Sequence, residues 1–88
     1  MLSIKQLHLG RLVGAIYDFP EAGDVLPMHA HDEATVHITI VARGRFYCHG
    51  DGWKHEAAAG TVLDWQPHDP HEFVSLEAKS RLVNIIKA

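Results

Sequence analysis

Glycines, prolines and short polar clusters interrupt this chain every eight to twelve residues. A helix of ordinary length, about 11 residues, does not fit between such interruptions, whereas short strands do. The spacing predicts an all-β sandwich or barrel. Strands are expected near Ile4 to His8, Arg11 to Asp18, Val25 to His31, Thr35 to Ala42, Arg45 to His49, Trp53 to Ala57, Thr61 to Trp65, His71 to Glu77 and Arg81 to Lys87. The strongest turn signal is Asp51-Gly52 in "CHGDGWKH", where a tight hairpin demands positive φ. "AAAG" at Ala57 to Gly60 could begin a helix, but Gly60 would stop it within one turn.

With 88 residues the chain is expected to form one domain, residues 1–88. A chain of this size buries only about 60 to 65% of its unfolded surface, so association with a second copy would help it. The net charge of −3 leaves no basic footprint for nucleic acid. No run of 18 apolar residues occurs, and the N-terminal stretch lacks a signal-type apolar core, so neither a membrane partner nor export is expected. A lone cysteine, Cys48, excludes an internal disulfide and suits a reducing, cytoplasmic setting.

Three of the eight histidines fall within "HAHDEATVH", His29 to His37. On a strand His29 and His31 point the same way, because side chains alternate between faces. His37 shares their parity but would lie roughly 20 Å beyond His31 on a straight strand, so the chain is expected to turn at Asp32 and Glu33 and return as a hairpin. Imidazole suits Zn, Cu, Fe, Ni and Mn, and three such rings could converge on one ion. A fourth ligand is offered by "GTVLDWQPHDPHEF", either His71, after the turn at Pro67 and Pro70, or His68. Asp64, a carboxylate inside the apolar run "TVLDW", needs solvent or a partner. Facing inward it could act as a base; facing outward it belongs to the surface.

Parity also divides the strand from Thr35 to Ala42. His37, Thr39 and Val41 share one face, and Val36, Ile38, Ile40 and Ala42 share the other. The histidine face can line a barrel interior. The aliphatic face also wants cover, under the N-terminal strands or against a second subunit, which leads us to expect a homodimer.

Between Gly23 and Ser75 the chain resembles the cupin superfamily, small double-sheet β-barrels of jelly-roll type. Gly23, His29, His31 and Gly44 stand in register with the family's first motif, G-x5-H-x-H followed by a Glu and a Gly. His37 stands seven residues before Gly44, at the place of that Glu, though one residue later than usual after His31. Gly60 and His71 match the second motif, G-x5-P-x-G-x2-H-x3-N, while Gln66, His68 and Ser75 replace its Pro, Gly and Asn. Fifteen residues separate Gly44 from Gly60, close to the family's short spacing. The resemblance implies one divalent transition metal per chain, held by His29, His31, His37 and His71, in the manner of the minority of cupins with four histidines.

A site without a carboxylate ligand leaves the ion's charge uncompensated and would favour a small, oxygen-rich anion that chelates through two oxygens. That much serves oxidative and non-oxidative reactions alike; the shortage of acid/base groups near the pocket favours a metal-dependent dioxygenase. Non-oxidative isomerisation or lysis of sugar acids is the alternative reaction, and a small-ligand binding module without catalysis is the alternative class. His8, His49 and His55 have no motif partner and are expected to be ordinary surface or partly buried histidines. Phe73, Ser75, Thr39, Val41 and Trp65 could shape the pocket, with core packing as their default.

Overall fold

The computed structural model describes residues 1–30 and 36–87. Its strands are β1 (Ser3–Leu9), β2 (Leu12–Phe19), β3 (Val25–His29), β4 (Val36–Arg43), β5 (Arg45–Gly50), β6 (Trp53–Ala58), β7 (Val62–Asp64), β8 (His71–Ser75) and β9 (Ser80–Lys87). No helix occurs among the described residues, so none is long and apolar enough to cross a membrane. The strands form two antiparallel sheets, ordered β1-β2-β9-β4-β7 and β3-β8-β5-β6. This is an all-β jelly roll, as the punctuation and alternation of the sequence predict.

The two sheets meet through a core drawn from both, with Phe19, Val41 and Leu82 from one and Leu26, Phe46 and Phe73 from the other. Phe19 and Phe46 meet edge to face across it, with ring centroids 4.8 Å apart. Edge-to-face packing suits the ring quadrupoles and adds to the burial term. Cys48 is fully buried in this layer and its thiol lies 3.3 Å from the His55 carbonyl. Burial pushes that thiol up to about 11, so at neutral pH Cys48 is a small core residue and not a nucleophile.

Two turns show why particular residues are needed. Gly44 carries the chain from β4 in one sheet to β5 in the other at φ +82, and a Cβ there would lie 2.0 Å from Ser80 Oγ and 2.7 Å from its Cβ. Only glycine permits both the backbone and the approach. The β5–β6 hairpin closes at Gly50 opposite Trp53. Gly52 takes the positive φ, at +74, but Asp51 does not, so one residue of the pair supplies what both were expected to supply.

Among the described residues, the strands carrying His29 and His37 do not pair as the expected hairpin. β3 pairs with β8, whereas β4 pairs with β9 and β7 in the opposite sheet. His29 and His37 therefore approach from opposite sheets, across the barrel interior. Asp32 and Glu33, where the turn was expected, lie outside the described residues.

Candidate metal centre

Three of the four histidines singled out by the sequence are described, and each reaches the interior by a different route. His71 opens β8 and is 1% exposed; His37 lies on β4 and is 3% exposed. His37 shares its inward face with Thr39 and Val41, as strand alternation requires. His29 ends β3 and is partly buried. Simple alternation does not account for His29, because Leu26, three residues earlier, is also buried while Pro27 and Met28 between them are exposed. The register of β3 against β8 shifts between Leu26 and His29, and past the shift His29 stands directly opposite His71. Such an irregularity re-aims one side chain.

The bulge is held by polar contacts. Met28 N–H donates to Glu72 Oε2 at 3.1 Å, and the other oxygen of Glu72 lies 3.2 Å from His49 Nε2. Glu72 is thus a supporting residue that the sequence did not reveal; nothing in "HDPHEF" marks which carboxylate will meet a backbone amide on another strand.

The rings cluster around His71. Its centroid lies 4.4 Å from that of His29 and 5.2 Å from that of His37. His29 Nδ1 is 2.8 Å from the Pro27 carbonyl, and His71 Nδ1 is 2.8 Å from the Asp69 carbonyl. A carbonyl only accepts, so each Nδ1 carries a hydrogen and, in neutral imidazole, the lone pair lies on Nε2. The Nε2 atoms of His37 and His71 are buried. Imidazole held through Nδ1–H by a main-chain carbonyl, with Nε2 turned inward, is the arrangement of a metal-binding histidine and its supporting contact. The donor chemistry therefore fits a divalent transition metal. Among the described residues no group of three or more His, Cys, Asp or Glu side chains is gathered at one point as a ligand set. His31 lies outside the described residues.

Beneath the cluster is a buried polar chain. Trp65 Nε1–H donates to Thr39 Oγ1 at 2.9 Å, and the Thr39 hydroxyl donates to Asn84 Oδ1 at 2.5 Å. Thr39 and Asn84 stand opposite each other on β4 and β9. Asn84 was not singled out, although an amide alone in the apolar run "RLVNIIK" asks for a buried partner just as Asp64 does.

Asp64 takes the outward alternative. On β7 it stands opposite Ile38, while Leu63 stands opposite Thr39, so its carboxylate belongs to the face turned away from His37, and it is exposed. His68 is an exposed turn residue with φ 65. It adopts the left-handed backbone for which the motif has glycine, a conformation that His tolerates better than bulky or β-branched residues do. His8 and His55 are exposed and His49 is partly buried beside Glu72. A cleft of about 410 Å³ lies on the β1–β2 side, with Ile4, Val13, Tyr17 and Ile86 in its walls. Ile86 in its wall stands opposite His37 in the sheet.

Residues 13–82 match the AraC-like ligand binding domain family. The chain belongs to that family. It is a cupin-superfamily protein, in agreement with the motif resemblance, and its solved neighbours carry the same fold. KdgF from Halomonas sp. superposes with a TM-score of 0.85 at 24% identity, covering 97% of this chain and 78% of that one. An RmlC-like cupin from Desulfovibrio desulfuricans gives 0.82 at 25% identity, covering 97% and 81%. A predicted oxalate decarboxylase from Thermotoga maritima gives 0.84 at 16% identity, covering 98% and 79%. No curated protein matches the chain.

Proposed function

We propose that this cupin is a metal-dependent enzyme acting on a small, oxygen-rich anion, with His29, His31, His37 and His71 as the ligands of one divalent transition metal. The observation that carries the reading is the cluster at His71, in which His29 and His71 each hold Nδ1 against a main-chain carbonyl. When bound, the ion would supply Lewis acidity and, if redox-active, electron-transfer chemistry with O₂. The protein's own contribution is to orient neutral imidazoles, to hold the Thr39–Asn84 pair beneath them and to wall the site with Trp65.

The described groups around His71 are imidazoles, a hydroxyl, an amide and an indole, and the neighbouring carboxylate, Glu72, is engaged by the Met28 amide and by His49. Sugar-acid isomerisation needs a positioned proton donor or acceptor, and Asp64, the carboxylate considered for that task, lies on the outer face. This favours dioxygenase chemistry over isomerisation or lysis. A second reading, a binding module without turnover, is favoured by the family itself, whose description is a ligand-binding domain.

The deciding experiment is turnover of β-diketones, flavonols, catechols and uronates by Mn-, Fe-, Ni-, Cu- and Zn-loaded protein, with and without oxygen. Oxygen-dependent turnover with a redox-active metal is expected. Oxygen-independent turnover supported by Zn would replace this reading with the isomerase, and tight ligand binding without turnover would replace it with the binding module. Metal content after His29→Ala and His71→Ala should fall; full occupancy in both would remove the site assignment. Raw affinity favours Cu or Zn whatever ion serves in the cell, so the metal found on purification does not decide the reaction.

We also infer a homodimer through the outer face of the five-stranded sheet. Ile38 stands opposite Ile85, and Ile40 opposite both Val83 and Val62. The N-terminal strands extend this sheet and so cannot cover it. Four strands at about 4.8 Å spacing and about 25 Å length give a flat face on the order of 500 Å². With side-chain relief, that approaches the roughly 800 Å² per partner of an ordinary interface.

A further inference from the structure

Trp65 touches both sides of the histidine cluster. β7 ends at Asp64, and the next amide, Trp65 N–H, donates to the His37 carbonyl at 2.9 Å. That bond ties the main chain to β4 and turns the indole inward, where it is 7% exposed. There it lies flat on the His71 imidazole, with centroids 4.0 Å apart and planes within 14°.

Two different constraints therefore meet on one imidazole. The bond from His71 Nδ1 to the Asp69 carbonyl fixes a direction within the ring plane, and the stacked indole opposes rotation out of that plane. Together they set where Nε2 presents its lone pair. The indole is itself keyed in place, because Nε1–H donates to Thr39 Oγ1, whose hydroxyl donates to Asn84. On another side stands Trp53, with centroids 5.6 Å apart. Trp53 lies over Gly50, where a Cβ would come within 2.5 Å of Trp53 Nε1 and 2.2 Å of the Pro70 carbonyl. A large aromatic seated on a missing side chain is a tight arrangement that a generic apolar core does not need.

We propose that Trp65 is a positioning residue for His71, with its indole setting the plane of the imidazole and Thr39 setting the indole. The proposal rests on the metal-centre reading, in which His71 is a ligand. Contacts that orient a ligating histidine typically change metal affinity by about 10- to 100-fold when removed. A residue that only fills space changes folding stability and leaves affinity alone.

The test uses the whole chain and Co(II) as the probe, reading affinity by chelator competition, ligand geometry by the visible spectrum and stability by thermal unfolding. Trp65→Leu, which loses both ring and N–H, should weaken Co(II) binding by about 10- to 100-fold and shift the spectrum. Trp65→Phe keeps a flat ring and should recover most of the affinity. Thr39→Val removes the indole's acceptor and should shift the spectrum with a smaller loss of affinity. Phe46→Leu is the control: its ring neighbours are Phe19 and Phe73, and it should lower the unfolding temperature without changing affinity or spectrum.

Wild-type affinity and spectrum in a folded Trp65→Leu would overturn the proposal. Should that variant fail to fold, wild-type affinity and spectrum in Thr39→Val would overturn it instead. If the unmodified chain takes up no Co(II), the metal-centre reading fails, and the role of Trp65 fails with it; binding by the wild type separates that outcome from a failure of Trp65 alone.

Discussion

The two faces of β4 and β9 come from the same strands and meet opposite fates. Inward, His37, Thr39, Val41, Leu82 and Asn84 are all at most 3% exposed. Outward, Val36, Ile38, Ile40, Val83 and Ile85 are only partly buried. The outward face is the more aliphatic of the two, yet the inward face, with an imidazole, a hydroxyl and an amide, lies in the dry interior. Hydrophobicity alone would choose the wrong side. The inner face is buried because the second sheet covers it, and its polar atoms are tolerable there because Thr39, Asn84 and Trp65 satisfy one another. A strand whose more polar face points inward suggests a site, and one whose apolar face points outward suggests a partner.

The largest expected effect comes from placing the same charge on each face. Leu82→Asp would put a carboxylate at a position that is 0% exposed, and no Lys or Arg is among the described buried residues to meet it. An unpaired buried charge costs several kcal/mol, comparable with the ~5 to 15 kcal/mol that keep a small domain folded. Leu82→Asp should be unfolded or insoluble at 25 °C by circular dichroism. A native spectrum with an unchanged unfolding midpoint would mean that the inner face is less dry than its burial indicates.

The next effect separates the faces by assembly. Ile38→Asp lies on the outer face, opposite Ile85, and solvent can reach it in the isolated chain. The variant should fold with a wild-type far-UV spectrum and give a monomer mass by light scattering at micromolar concentration, where the parent is expected to give a dimer mass. Isologous interfaces contain each residue twice, so one substitution introduces two like charges. A parent that is already monomeric would remove the dimer, and an Ile38→Asp chain that stays dimeric would move the interface to another surface.

How much of this was legible in the sequence varies with the range of the interaction involved. The positions of the strands followed from local chemistry, since glycine, proline and alternation act over two to four residues. The inward set His37, Thr39 and Val41 followed from alternation on an uninterrupted strand. The cupin fold followed from glycines whose need is physical, and Gly44, pressed against Ser80, is the clearest case. Three features depended on partners far along the chain. The re-aiming of His29 comes from a register shift against β8, which no local pattern in "VLPMH" announces. The placement of β3 and β4 in opposite sheets depends on which strands they pair with, and "HAHDEATVH" reads equally well as a hairpin. The direction of Asp64 depends on its register with Ile38, because a three-residue strand carries too little alternation to fix its own face.

The smallest expected effect concerns the end of the outer face, where Asp18 on β2 stands opposite Arg81 on β9. Arg81 Nε donates to Asp18 Oδ1 at 2.7 Å and Nη2 donates to Oδ2 at 3.2 Å. This paired hydrogen bonding with the guanidinium holds the Asp18 carboxyl below its ordinary value, against a smaller opposing effect of desolvation. The folded-state value is therefore lower than that of the unfolded chain, near 3.9. The contribution to stability is complete above that value and is lost as pH falls through the lower folded-state value. Both side chains are more than a third exposed, so solvent and salt screen most of the pair. Urea midpoints between pH 7 and pH 2.5 should fall slightly more for the parent than for Asp18→Asn, and 1 M salt should narrow the gap in keeping with a Debye length of only about 3 Å. The measurement also bears on the two faces. If a second copy covers the outer sheet as far as its rim, the pair is shielded, and the pH-dependent difference between parent and Asp18→Asn should grow with protein concentration. A difference independent of concentration would place Asp18 and Arg81 beyond the edge of the interface, confining the contact to the aliphatic residues at the centre of the sheet.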